Sequence, residues 1–144
     1  IMINIKIPNA IKSNIFKEAI KEYPKECCGF LIGYAENNIL ICENSLSTIN
    51  IAANPYKFFE INPQEIINVQ KSYRKDKLKI IGHYHSHPDS PLGTKPSKKD
   101  IQSVYDINLC WVIVGINVNI TELSAYMPKL DEQNNYILKE ITIN

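Results

Sequence analysis

All three histidines of this chain fall within five residues, at positions 83, 85 and 87. Side chains alternate between the two faces of a β-strand, so an extended segment would place His85 and His87 on one face, roughly 6–7 Å apart. Two imidazoles at that spacing can bind one cation. Catalytic zinc commonly takes three protein ligands and leaves a fourth position open. The pattern therefore predicts a further ligand from elsewhere in the chain.

Asp100 is the candidate for this further ligand, and it ends the segment Ser97-Lys98-Lys99-Asp100. The Ser-x-x-Asp spacing is also typical of a helix capping box. Capping alone does not explain the two histidines upstream, and the combination favours a metal ligand. Hydrolysis of a carbonyl compound would also need a carboxylate outside the coordination shell, as the general base for a metal-activated water.

An upstream glutamate completes a known pattern. The segment Pro24-Lys25-Glu26-Cys27-Cys28-Gly29, followed by His85-Ser86-His87-Pro88 and then Ser97-x-x-Asp100, resembles the JAMM or MPN-plus metalloproteases. The similarity extends over roughly residues 3–126 and is to the prokaryotic single-domain branch. Nine residues separate His87 from Ser97, where the family usually has seven. A loop can absorb two residues at a small entropic cost.

The resemblance implies one zinc ion per chain, bound by His85, His87 and Asp100. It implies that Glu26 acts as general base and then as acid, and that the Ser97 hydroxyl donates a hydrogen bond to the tetrahedral oxyanion. The implied activity is that of a zinc metallopeptidase or isopeptidase, which hydrolyses an amide bond at the C-terminal tail of a ubiquitin-like or sulfur-carrier protein. Such a tail would enter as an extended strand and pair with an exposed sheet edge.

Two other functions are compatible with these residues. One is a noncatalytic MPN-like interaction module, and the longer loop before Ser97 is its best support. The other is a zinc hydrolase of a nonprotein amide, which would share the site chemistry. His83 is predicted to be a packed or hydrogen-bonded histidine, although it shares a face with the two ligands. Cys27 and Cys28 are predicted to be buried thiols, because adjacent cysteines rarely have disulfide geometry.

Hydrophobic periodicity and turn residues predict the elements that position this site. The resemblance implies an α/β (α+β) fold of the JAMM/MPN, cytidine-deaminase-like type, with a mixed, largely antiparallel sheet flanked by helices. The aromatic segment 56–61 is predicted to be extended, so at most one of Phe58 and Phe59 would face a groove. The predicted strands are 3–7, 28–34, 39–44, 78–87, 109–118, 122–126 and 136–143, and the predicted helices are 10–23, 63–75 and 97–105.

The overall composition is that of a globular protein. The chain has 144 residues, of which 44% are hydrophobic and 22% are charged, and one domain over residues 1–144 is expected. A net charge of +1 does not provide the basic surface typical of nucleic-acid binding. The apolar stretches are far shorter than the roughly 20 residues of a membrane span. Without a signal-peptide pattern or a Cys-x-x-Cys pair, a cytoplasmic location with reduced thiols is expected.

Overall fold

The computed structural model describes residues 1–144. Seven strands form one sheet that closes into a barrel, in the spatial order β1-β3-β2-β4-β5-β6-β7. Four strand pairs are antiparallel and three are parallel, which confirms the expected mixed, largely antiparallel sheet. The elements in chain order are β1 (Asn4–Lys6), α1 (Asn9–Glu22), β2 (Cys28–Glu36), β3 (Ile39–Thr48), α2 (Pro63–Ser72), β4 (Lys79–Pro88), α3 (Lys98–Gln102), β5 (Cys110–Ile116), β6 (Thr121–Leu130) and β7 (Tyr136–Ile143).

The core lies between the barrel and α1. Ile11, Ile15 and Ala19, spaced four residues apart, are the buried residues of α1, so the predicted apolar stripe faces the sheet. All seven residues of β5 are buried, as the continuous apolar run predicts for a central strand. None of the three helices has both the length and the apolar character needed to cross a lipid bilayer.

The strand β4 carries the histidines in the middle of the sheet. It pairs antiparallel with β2 on one side and parallel with β5 on the other. Because both edges of β4 are hydrogen-bonded, its backbone is rigidly placed, and its side chains alternate between the barrel interior and the opposite face. The neighbours Tyr84 and Ser86 are also buried, so both faces of this strand are covered.

The prediction that residues 56–61 form an extended strand is wrong, because these residues pair with no other strand. The chain turns here, since the Asn54 carbonyl accepts hydrogen bonds from the Lys57 and Phe58 N–H groups. The Asn50 side chain then holds the segment by donating to the Phe58 carbonyl and accepting from the Glu60 N–H. An irregular backbone no longer sends successive side chains to opposite faces, and both Phe58 and Phe59 line one cavity.

Candidate metal centre

Three buried side chains from two elements converge at the carboxyl end of β4. His85 Nε2 and His87 Nε2 lie 3.1 Å apart. Each is also 3.1 Å from an oxygen of Asp100, His85 from Oδ1 and His87 from Oδ2. One ligand atom from each residue lies within 4.8 Å of the others, so the set could hold a metal ion.

Asp100 reaches the histidines because it lies in the first turn of α3. The Ser97 hydroxyl accepts a hydrogen bond from the Asp100 N–H at 3.0 Å, and Asp100 Oδ2 accepts one from the Ser97 N–H at 2.8 Å. This is a complete capping box, so capping and convergence on the histidines occur together. Burial raises the pKa of Asp100, but hydrogen bonds from His85 and His87 outweigh it and hold the pKa well below its usual range. Asp100 is therefore an anion at neutral pH.

The loop of nine residues between His87 and Ser97 orients His87. His87 Nδ1 lies 3.1 Å from the Gly93 carbonyl oxygen, which can accept a hydrogen bond from Nδ1–H and so leave the Nε2 lone pair facing the cluster. Thr94, the next residue, fixes the loop against β6. Its carbonyl accepts a hydrogen bond from the Tyr126 hydroxyl at 2.8 Å, and its Oγ1 accepts one from the Ser124 hydroxyl at 2.7 Å. The two additional residues are thus accommodated while Asp100 still reaches the histidines.

Loss of the Tyr126 hydroxyl is expected to weaken metal binding. Tyr126→Phe keeps the buried ring but frees the Thr94 carbonyl beside Gly93, so we expect the Kd for zinc to rise about tenfold, at the lower end of outer-shell effects. Competition titration with a chromophoric chelator measures this. Tyr136→Phe is the matched control, because Tyr136 packs against the small hydrophobic cluster to which Tyr126 belongs. Equal Kd values for the two variants would contradict the proposed role of the loop.

Glu26 lies just before β2 and lines the same cavity as His87 and Asp100, whose charges act on its carboxyl group. It is only 7% exposed, and its backbone is fixed by bonds to the Pro55 carbonyl at 2.8 Å and the Asn50 side-chain amide at 3.0 Å. Burial is the largest influence on its carboxyl group and raises the pKa to about 8, while His87 opposes the rise and Asp100 adds to it. Glu26 is thus a carboxyl group that can exchange a proton near neutral pH.

The raised pKa predicts a pH-dependent stability of the metal-free protein. The folded-state pKa of Glu26 is about 8, above its ordinary value of 4.5, so the stability from its protonated form is complete below about pH 4.5 and is lost as the pH rises through 8. Glu26→Gln removes this loss. After chelation, we compare the melting temperatures of the variant and of wild type. We expect the variant's melting temperature relative to wild type to be several degrees higher at pH 9 than at pH 5. Glu60→Gln is the control, and an equal difference at both pH values would contradict the prediction.

Four of the five candidate site residues line one cavity of about 800 Å³. Glu26, His87, Ser97 and Asp100 line it, whereas His85 is fully buried under Phe59, whose ring stacks on the imidazole at a centroid distance of 4.2 Å. The structure therefore brings together all five residues that the sequence analysis assigns to the metal site or to catalysis: Glu26, His85, His87, Ser97 and Asp100. Periodicity gave no indication of Phe59, because its contact with His85 depends on the irregular turn before it.

His83 lies outside the cluster and packs against Trp111 on β5, with ring centroids 4.4 Å apart in a T-shaped arrangement. Burial lowers the pKa of His83 to about 3. Cys27 and Cys28 are buried free thiols, as predicted. Burial raises the pKa of these thiols to about 12 and about 11, which argues against a nucleophilic role.

The fold and the cluster define the class of the protein as a JAB-type domain of the JAMM/MPN group. Residues 8–128 match the family model described as prokaryotic homologs of the JAB domain, and the chain belongs to this family. The resemblance inferred from Glu26, the His-x-His-Pro segment and Ser97-x-x-Asp100 is thereby confirmed.

Named relatives and a solved structure agree with this assignment. A desampylase of Pyrococcus furiosus is 32% identical over 90 residues, which is 62% of this chain and 59% of the relative. A probable TtuB-protein conjugate cleaving protease of Thermus thermophilus is 25% identical over 96 residues, 67% of this chain and 60% of the relative. The matches thus span about three fifths of these relatives. The solution structure of protein DSY2949 from Desulfitobacterium hafniense has the same fold, with a TM-score of 0.79, 22% identity, and coverage of 97% of this chain and 92% of that one.

Proposed function

We propose that this protein is a zinc metallopeptidase that hydrolyses an amide or isopeptide bond at the C-terminal tail of a ubiquitin-like or sulfur-carrier protein. The observation that carries the proposal is the placement of Glu26 beside the cluster of His85, His87 and Asp100, at one cavity. The substrate class is supported by the Thermus relative, which is named for cleaving protein conjugates.

The donor set fits zinc. Two imidazole nitrogens and a carboxylate oxygen are ligands that zinc binds at about 2.0–2.2 Å, and ligands in a tetrahedral arrangement at that distance lie about 3.4 Å apart. The 3.1 Å separations between the two Nε2 atoms and the Asp100 oxygens are close to this spacing. When bound, zinc supplies a Lewis acid that polarises a carbonyl group and lowers the pKa of water.

Glu26 moves the proton in this mechanism. Its carboxylate accepts a proton from the attacking water and then donates it to the departing amine, so that one group serves as base and acid in succession. A pKa raised by burial suits both roles, because the proton is neither too tightly nor too loosely held near neutral pH.

Ser97 stabilises the negative charge that develops on the substrate carbonyl oxygen. Its hydroxyl oxygen already accepts the Asp100 N–H, so its own proton is free to be donated into the cavity. A donor fixed by a helix cap does not have to reorganise when the oxyanion forms.

The substrate tail would lie along the cavity and not add a strand to the sheet beside the site. Between Gly82 and His85, β4 is paired with β2 on one side and with β5 on the other, so the exposed edge expected from the sequence is not found beside His83 and His85. The tail would instead contact side chains of β4 and the aromatic residues of the cavity wall, among them Phe58, Phe59 and Trp111.

A cleavage assay tests this function. The zinc-loaded protein would be incubated with a ubiquitin-like protein that ends in Gly-Gly, joined to a reporter either by a peptide bond or through a lysine side chain, and the products followed by mass. We expect cleavage after the second glycine, lost on chelation and restored by zinc. Binding without cleavage would support the noncatalytic interaction module, and cleavage only of small amides would support the nonprotein hydrolase.

A further inference from the structure

The cavity continues along β4 from the metal centre to His83. This residue lies four positions before His87 and on the same face of the strand, which places the two Cα atoms about 13 Å apart. The cavity lining includes the apolar residues Phe30, Phe59, Ile80 and Trp111. Phe30 and Trp111 are the partners of His83 on the two neighbouring strands.

His83 has no polar partner in this wall. It is 8% exposed, and its Nδ1 atom is buried without a hydrogen bond. The rings beside it are aromatic, with Trp111 at 4.4 Å and Phe59 at 6.0 Å between centroids. Buried polar side chains are nearly always hydrogen-bonded, so an unpartnered imidazole in a substrate cavity calls for a partner that arrives with the substrate.

The tautomer follows from these neighbours. Aromatic faces are electron-rich and attract an N–H group while repelling a lone pair. We therefore assign the proton to Nδ1, which is the ring nitrogen that is buried without a hydrogen bond. Nε2 then carries the lone pair and is the ring nitrogen available to the cavity, so a ligand must supply a donor.

The geometry points to His83 as a specificity-determining residue whose Nε2 accepts a hydrogen bond from a main-chain N–H of the substrate tail. This inference rests on the proposed function. It adds which residue of the tail contacts His83, namely the one about four residues from the bond that is cleaved. An extended tail carries an N–H at every residue, and each one loses water on entering an aromatic groove. The backbone groups of β4 beside His83 cannot replace these hydrogen bonds to water, because they are already paired with β2 and β5.

An ester scan of a bound peptide tests this contact. The probe is a synthetic eight-residue tail that ends in Gly-Gly with a free carboxylate, as the product of the proposed cleavage does, with one main-chain N–H at a time replaced by an ester oxygen. Trp111, the single tryptophan of the chain, lies against His83 and reports binding by fluorescence. In the zinc-loaded wild type, we expect the ester about four residues from the cleavage point to weaken binding about 3- to 10-fold. The same ester should cost less than twofold in His83→Phe.

Two further variants serve as controls. Tyr105→Phe removes a polar group at the rim of the same cavity and should retain the wild-type pattern. His83→Leu repeats the test with a smaller apolar side chain, and zinc content shows that each variant is folded. The inference is overturned if no ester distinguishes wild type from the two His83 variants, or if the peptide does not bind zinc-loaded wild type. Failure of the cleavage assay with this coupling intact would refute the proposed function and leave the contact standing.

Discussion

Glu26→Gln is expected to lower kcat for conjugate cleavage by a factor of roughly 10² to 10⁴, the usual contribution of a general acid–base group. The amide cannot take a proton from water at neutral pH. Because Glu26 lies outside the set of three converging ligands, zinc content and substrate binding should be unchanged. Stopped assays on zinc-loaded protein measure kcat, and elemental analysis measures the zinc.

The matched control for this variant is Glu60→Gln. Glu60 also lines the cavity, but it is exposed and lies outside the metal cluster. We expect the control to retain wild-type turnover to within a few-fold. Turnover of Glu26→Gln within tenfold of wild type would show that the proton passes through another group, and would favour a different base.

Asp100→Asn is expected to raise the Kd for zinc by at least about 100-fold, more than the effect of removing an outer-shell partner. The substitution replaces an anionic ligand with a neutral one. The asparagine oxygen can still accept the Ser97 N–H, so the start of α3 should be preserved. Zinc titration with circular dichroism of the metal-free protein separates loss of the ligand from loss of the fold.

Asp131→Asn provides a matched control for the charge change. Like Asp100, Asp131 accepts backbone N–H groups through its side chain, from Gln133 and Asn135 at 2.9 Å, but it lies in the turn between β6 and β7. Its zinc affinity should equal that of wild type. If Asp100→Asn also bound zinc as wild type does, Asp100 would be a capping residue only.

The parts of the site that the sequence predicts depend on local rules. Strand alternation places His85 and His87 together, and a capping box places the Asp100 carboxylate at the start of a helix. The hairpin of β2 and β3 likewise follows from two apolar runs around a polar turn. Each of these inferences involves residues within a few positions of one another, where backbone geometry fixes the relation.

The parts that the sequence does not predict depend on contacts between distant segments. Closure of the barrel requires β1 to pair in parallel with both β3, through three residues, and β7, through two, and no periodicity specifies those partners. Asn50 determines the path of the segment after it by bonds to Glu26 and Phe58. Tyr126 supports the loop before Ser97 from 32 residues away. Such contacts are set by the folded topology and override the local pattern.

The most direct test of the metal centre is X-ray diffraction from zinc-loaded crystals, measured on both sides of the zinc absorption edge. An anomalous difference map should show one zinc ion per chain, within about 2.0–2.2 Å of His85 Nε2, His87 Nε2 and an oxygen of Asp100. A zinc-loaded crystal with no peak at these three atoms, or with its zinc bound by other residues, would contradict the assignment.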